Sequence, residues 1–227
     1  SWQKIVSGDE NELEVLSEIT SCHSAEIKRF ALKSFSGHKK FVGNELIQFG
    51  HLSFNRLKVC PVCVQGWMTQ GGQLEHGPPV FWQLSPVLHC HIHEIPLCAL
   101  PPSQYPRSNY DVAGRIFDHM QELRSVASKA TISGRNSLEV YMVDRVRSRQ
   151  RRAERWPDQL EISVICKACT KLSELSRALH KAGRLHRNRL SESDVFDAID
   201  GGERTFTEFL REIWQCTPSE KGGFYAD

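Results

Sequence analysis

The sequence predicts a mainly α-helical protein with a small zinc-ribbon β unit: short N-terminal helices, the ribbon, then a C-terminal helical domain. Three observations lead there. Apolar residues recur at helical three–four spacing before residue 35 and again beyond residue 107. Between these stretches lie Cys60-Pro61-Val62-Cys63 and Cys90-His91-Ile92-His93, each a ligand pair with a two-residue gap. A β-branched and aromatic run, Val80-Phe81-Trp82-Gln83-Leu84, lies between the pairs and reads as a strand. The expected divisions are 1–55 helical, 56–100 zinc ribbon, 101–106 linker and 107–227 helical.

At 227 residues the chain can bury a sizeable core in one or two domains. A hydrophobic content of 40% with 25% charged residues is that of a soluble globular protein. The formal net charge is +2, so any basic surface must be local. No apolar run approaches the roughly 18–20 residues that span a bilayer. No charged-then-apolar leader is present, which points to the cytoplasm. The eight cysteines, two of their gaps being Cys-x-x-Cys, fit metal ligation in a reducing compartment better than a disulfide framework. Because the chain starts at Ser1 without Met, it reads as a fragment or a processed chain.

In chain order, Asp9-Glu10-Asn11-Glu12 precedes Leu13, Leu16 and Ile19, the pattern of a helix with an acidic first turn. His23 or Ser24 opens a second helix with Ile27, Phe30 and Ala31 on one face. Two short helices joined near Ser21–Ser24 make either a helix-turn-helix or an ordinary helical hairpin. Phe35–Gly43 reads as a loop with a short extended piece. Its Lys39-Lys40 pair fits a solvated face better than a phosphate site.

The two ligand pairs are the informative centre. A Cys-x-x-Cys knuckle sets two thiolates on one side of a tight turn, and Cys-x-x-His does the same with a thiolate and an imidazole. Together, Cys60, Cys63, Cys90 and His93 make a closed tetrahedral site of the kind structural Zn²⁺ prefers. One zinc is expected, with no position open for a catalytic water. His76, His89 and His91 are spare, because two complete pairs already fill the shell. Cys98 has no partner cysteine nearby. His93-Glu94 does not begin a His-Glu-x-x-His motif, and the zinc-deaminase arrangement is absent. The chain holds neither a phosphate-binding Gly-Lys loop nor a dinucleotide glycine set. No catalytic residues are assigned.

Beyond the linker, Ile116, Met120 and Leu123 mark one helix and Leu138, Tyr141 and Met142 another. The run Arg145–Arg155 is dense in guanidinium groups, and a second basic stretch follows from Arg177 to Arg189. Arg147, Arg149, Arg151, Arg152, Arg184, Arg187 and Arg189 are candidates for phosphate contact. A solvated or partner-facing surface accounts for them equally, since no aromatic residue interleaves with either cluster. Leu160–Leu179 is a long helical pattern. Its Cys166 and Cys169 lack flanking turn residues and read as small buried residues rather than a second metal pair. Ser191 to Asp194 caps a further helix, which Gly201-Gly202 ends. Phe206, Phe209, Leu210, Ile213 and Trp214 then form an apolar stripe read as core.

Arg56-Leu57-Lys58-Val59-Cys60-Pro61-Val62-Cys63, Phe81-Trp82-Gln83-Leu84 and Cys90-His91-Ile92-His93-Glu94-Ile95-Pro96-Leu97 resemble the TniQ family. In that family a Cys-Pro-x-Cys knuckle is followed by a Trp-Gln strand and a Cys-Pro-x-His-Gly knuckle. His91 stands where the family has Pro, and Glu94 where it has Gly. Neither is a ligand, though the change at 94 leaves the turn after His93 open. The resemblance is firm over 40–100 and looser elsewhere, including Leu185–Leu210. Family members usually carry more N-terminal helix.

The resemblance implies a non-enzymatic, bacterial accessory factor of DNA transposition that helps select the target site. Such a protein would bind duplex target DNA or a targeting complex and help recruit an AAA+ ATPase that regulates the transposase. An RNA-guided complex and a homodimer are assemblies known in the family. The alternative is a general DNA-binding zinc protein, such as a transcription regulator. A ribbon that contacts only protein comes third.

Overall fold

The computed structural model describes residues 9–21, 23, 33–36, 39–42, 45–53, 56–69, 77–103, 111–148, 151–184 and 189–216. The fold is mainly helical, with a small proportion of strand. Its contacts divide the chain into two units, Ser1–Gln150 and Arg151–Asp227.

The first unit opens with helix α1, Glu10–Thr20. Asp9 caps it by accepting the Glu12 N–H at 3.3 Å, and Glu10 and Glu12 lie in the first turn, where the helix dipole favours acid. The helix ends at Ser21, which takes a left-handed φ of 55°. The expected second helix, from Ser24, lies outside the described residues.

A three-stranded antiparallel meander follows: β1 Lys33–Ser36, β2 Lys39–Val42 and β3 Glu45–Gln48. This corrects the reading of Phe35–Gly43 as mostly loop. The strands pair Lys33 with Phe41 and Lys40 with Ile47, and a bulge interrupts β1. In β3, burial alternates and puts Glu45 and Ile47 inside.

The knuckle region is framed by β4, Leu57–Val59, paired antiparallel with β5, Cys98–Leu100. Helix α2, Pro61–Thr69, leaves the first knuckle. The expected strand over Val80–Leu84 is instead a short 3₁₀ turn, Val80–Gln83. Phe81, Trp82, Gln83 and Leu84 are all buried. A half-exposed strand alternates its side chains between two faces, so four buried neighbours fit a tight turn better. Gln83 nevertheless behaves as a strand partner. Its side-chain oxygen accepts the Lys58 N–H, and its amide NH₂ donates to the Lys58 carbonyl, both at 3.0 Å.

Helices α3 Val112–Asp118, α4 Met120–Ser128 and α5 Ser137–Ser148 complete this unit. Ile116 and Leu123 share one core with Leu57, Val59, Val64 and Leu100. The helices after the Pro-rich linker therefore pack on the knuckle region itself. Each such buried aliphatic side chain contributes about 1.5–3 kcal/mol.

The second unit holds α6 Trp156–Gln159, α7 Ile162–Lys181, α8 Glu192–Asp200 and α9 Glu203–Gln215. The buried face of α7 includes Ile162, Ile165, Cys166, Cys169, Ser173, Ser176 and Leu179, an i/i+3/i+4 series. Val195, Phe196, Ala198 and Ile199 are the buried residues of α8. At the end of α7, Gly183 at φ 69° lets its own N–H reach His180 O and the Arg184 N–H reach Leu179 O, both at 3.0 Å. This pair of hydrogen bonds is a Schellman cap. Ser191 and Asp194 form a reciprocal capping box on α8. The apolar stripe of α9 is only partly core. Ile213 is buried and Phe206 packs on Trp156, but Trp214 is 64% exposed and Leu210 lies at the surface.

Candidate metal centre

Each knuckle is built by its local sequence. Cys60 follows β4 and stands at the N-cap position of α2, with Val64 N–H bonded to its carbonyl at 3.0 Å. Pro61 fills the first helical position, where a missing N–H costs nothing. Cys63 lies in the first turn, its N–H pointing at Cys60 Sγ at 3.5 Å. The second knuckle is the tip of a narrow hairpin. Leu97 N–H bonds Leu88 O at 2.8 Å, Cys90 N–H bonds Ile95 O at 2.9 Å, and Glu94 N–H bonds Cys90 O at 3.0 Å. The N–H groups of Ile92 and His93 both point at Cys90 Sγ at 3.4 Å.

Glu94 adopts φ 52°, a left-handed conformation. A glycine-type turn is thus kept with a glutamate in it. Ser133 N–H bonds the Glu94 carbonyl at 3.1 Å and holds the strained residue in place.

The four predicted ligands come together. Cys63 Sγ lies 3.7 Å from Cys90 Sγ, while His93 Nδ1 lies 3.5, 3.3 and 3.6 Å from the sulfurs of Cys60, Cys63 and Cys90. All four ligand atoms fall within 4.8 Å of one another. A tetrahedral shell with metal–sulfur bonds of about 2.3 Å and a metal–nitrogen bond of about 2.0 Å has edges of about 3.5–3.8 Å. The donor set therefore fits a metal ion. The three cysteines are buried and His93 is half-buried.

The thiols depend on one another. Hydrogen bonds from the Cys60 and Cys63 thiols, then the N–H groups of His93 and Ile92, hold Cys90 well below the ordinary thiol range. Hydrogen bonding with Cys60 and Cys90, together with burial, pushes Cys63 above it. A cation among them would favour thiolate at all three.

The spare residues have other roles. His89 Nδ1 lies 2.9 Å from the carboxylate of Glu139. His91 Nδ1 accepts the indole N–H of the fully buried Trp82 at 3.3 Å. His76 lies outside the described residues. Cys98 sits in β5 beside the core. Cys166 and Cys169 are buried on α7, and burial raises the Cys169 thiol. Among the described residues, the Cys60–Cys63–Cys90–His93 group is the one cluster able to hold a metal.

The arginine stretch divides. Arg147, Arg151, Arg152, Arg184 and Arg189 are exposed, the first in one unit and the others in the second. Arg149 and Arg187 lie outside the described residues. Arg145 is buried against Glu45, and Arg155 pairs with Asp200 at 2.7 and 2.8 Å. Sequence reasoning missed Glu45, Lys58 and Glu139 as buried charges. For Glu139 the signal was present: Asn136 three residues earlier is the spacing of a helix cap.

Fold and site together define a mainly helical protein with a Cys₃His cluster, carried on two knuckles, that could hold a metal ion. The TniQ family model matches residues 3–97, a stretch that carries Cys60, Cys63, Cys90 and His93. Comparison with curated proteins and with solved structures gives no match. No helix among the described residues is long and apolar enough to cross a membrane.

Proposed function

We propose that this chain is a non-enzymatic, zinc-containing accessory factor of DNA transposition. The observation that carries the reading is the closure of Cys60, Cys63, Cys90 and His93 within the TniQ segment. Three thiolates and an imidazole at tetrahedral spacing suit Zn²⁺, and four protein ligands leave no open position, the mark of a structural ion. The metal's part is to lock the two knuckles, and through them β4, α2 and the hairpin at 88–97.

In this reading the factor binds duplex target DNA or a targeting complex, an RNA-guided one included, and helps recruit the AAA+ regulator of the transposase. It works in the cytoplasm, alone or as a homodimer. Exposed Arg147, Arg151, Arg152, Arg184 and Arg189, with Arg149 and Arg187, supply phosphate contacts. The same exposed arginines support the second reading, a general DNA-binding zinc protein.

Fluorescence anisotropy with duplex DNA over a salt series tests the DNA contact. Binding that weakens steeply with salt supports it, since log K falls by about 0.9 per phosphate neutralised. Salt-independent binding, or none at low salt with the fold intact, contradicts it. Specific capture of an AAA+ ATPase separates the transposition factor from the general DNA binder.

A further inference from the structure

Glu139 is fully buried in the first turn of α5. A buried carboxylate is costly unless paired. Its oxygens lie 3.0 and 2.9 Å from His89 Nδ1, and Asn136 Nδ2 donates to one of them at 3.1 Å. Facing a carboxylate, His89 Nδ1 carries its hydrogen. His89 directly precedes the ligand Cys90.

The other knuckle is tied to the chain that leads into Cys90. Lys58, two residues before Cys60, is buried. Its ammonium donates to Leu84 O at 2.6 Å and Val87 O at 2.7 Å, carbonyls of the segment that runs into Cys90. The segment leading into Cys90 is thus held on one side by the buried anion of α5, through His89, and on the other by Lys58 from the first knuckle.

We propose that Glu139 is a positioning residue of the metal centre, holding the second knuckle where its ligands meet those of the first, so that metal affinity depends on it. This rests on the metal reading above. Glu139 touches no ligand; it acts through His89. Its helix-capping part needs only its backbone N–H, which Asn136 Oδ1 accepts at 2.9 Å. Glu139→Gln keeps that cap and the side-chain size while removing the charge.

The test is a Co²⁺ titration of the full chain, read by the thiolate-to-cobalt charge-transfer and d–d bands, with a chelator as competitor. Glu139→Gln is expected to weaken Co²⁺ binding about 10–100-fold, as for other outer-shell partners of metal sites, with the tetrahedral bands unchanged at saturation. His89→Gln moves affinity the same way and decides the matter if Glu139→Gln does not fold. Glu122→Gln, an exposed acid on α4, leaves affinity unchanged. Wild-type affinity in Glu139→Gln, or in His89→Gln where that variant decides, overturns the proposal. Absence of charge-transfer bands in the wild-type protein overturns the metal reading along with it.

Discussion

Glu45 and Arg145, 100 residues apart in sequence, form a bidentate ion pair at 2.9 Å for both bonds, and both side chains are almost wholly buried. The Tyr141 hydroxyl accepts a further hydrogen bond from the same guanidinium. The pair joins β3 of the N-terminal meander to α5. It also removes one arginine from the basic stretch that the sequence displays.

Breaking that pair from one side leaves a buried charge alone. Glu45→Gln is expected to cost about 3–5 kcal/mol, measured by urea denaturation. The double variant Glu45→Met, Arg145→Met is expected to recover most of the loss. A Glu45→Gln protein as stable as wild type would show that the pair is open to water.

The clustering of Cys60, Cys63, Cys90 and His93 was legible because paired two-residue gaps have few other uses, and ligand chemistry fixes spacing. Helix caps at Asp9 and Ser191 were legible for the same local reason. The meander was not: its strands are four residues long and rich in Lys and Ser, so no alternation shows. Val80–Leu84 has strand composition, but its side chains are buried on all sides, a tertiary fact that propensity does not encode. The fates of Arg145 and Arg155 depend on Glu45 and on Asp200, far away in the chain.

Glu94 is held in a conformation that costs an L-residue about 1–2 kcal/mol, whereas glycine loses about 0.5–1 kcal/mol in chain entropy. Glu94→Gly is therefore expected to raise stability by about 0.5–1 kcal/mol, read by thermal denaturation of the metal-loaded protein. A loss of stability would mean that the Arg135 guanidinium, 3.7 Å from the Glu94 carboxylate, matters more than the backbone strain.

Lys58 is lowered to about 8, by burial first and against the pull of Glu139. Its folded pKa lies below its unfolded value, so from about pH 8 to 10.5 the unfolded chain binds the extra proton. Stability contributed at this site therefore rises with pH across that window. Denaturation midpoints of wild type minus those of Lys58→Met should show the rise. A flat difference contradicts it.

Charge reversal at Arg151 and Arg152 is expected to weaken DNA binding alike for all sequences. It should also flatten the salt dependence by about 0.9 for each phosphate that is no longer neutralised. Anisotropy on two unrelated duplexes checks both. Unchanged affinity would remove these residues from the interface.

Cys166→Ala with Cys169→Ala is expected to leave metal content unchanged, whereas Cys60→Ser should lose the ion and, with it, folding energy on the order of 10 kcal/mol. Metal analysis and melting of both variants separate the two pairs. Full metal and an unchanged melting curve in Cys60→Ser would refute the ligand assignment.

X-ray absorption spectroscopy of the purified protein, with zinc quantified per chain, tests the centre most directly. One zinc is expected, bound by three sulfurs at about 2.3 Å and one nitrogen at about 2.0 Å. A protein without zinc, or a shell of oxygen and nitrogen ligands, would contradict the assignment.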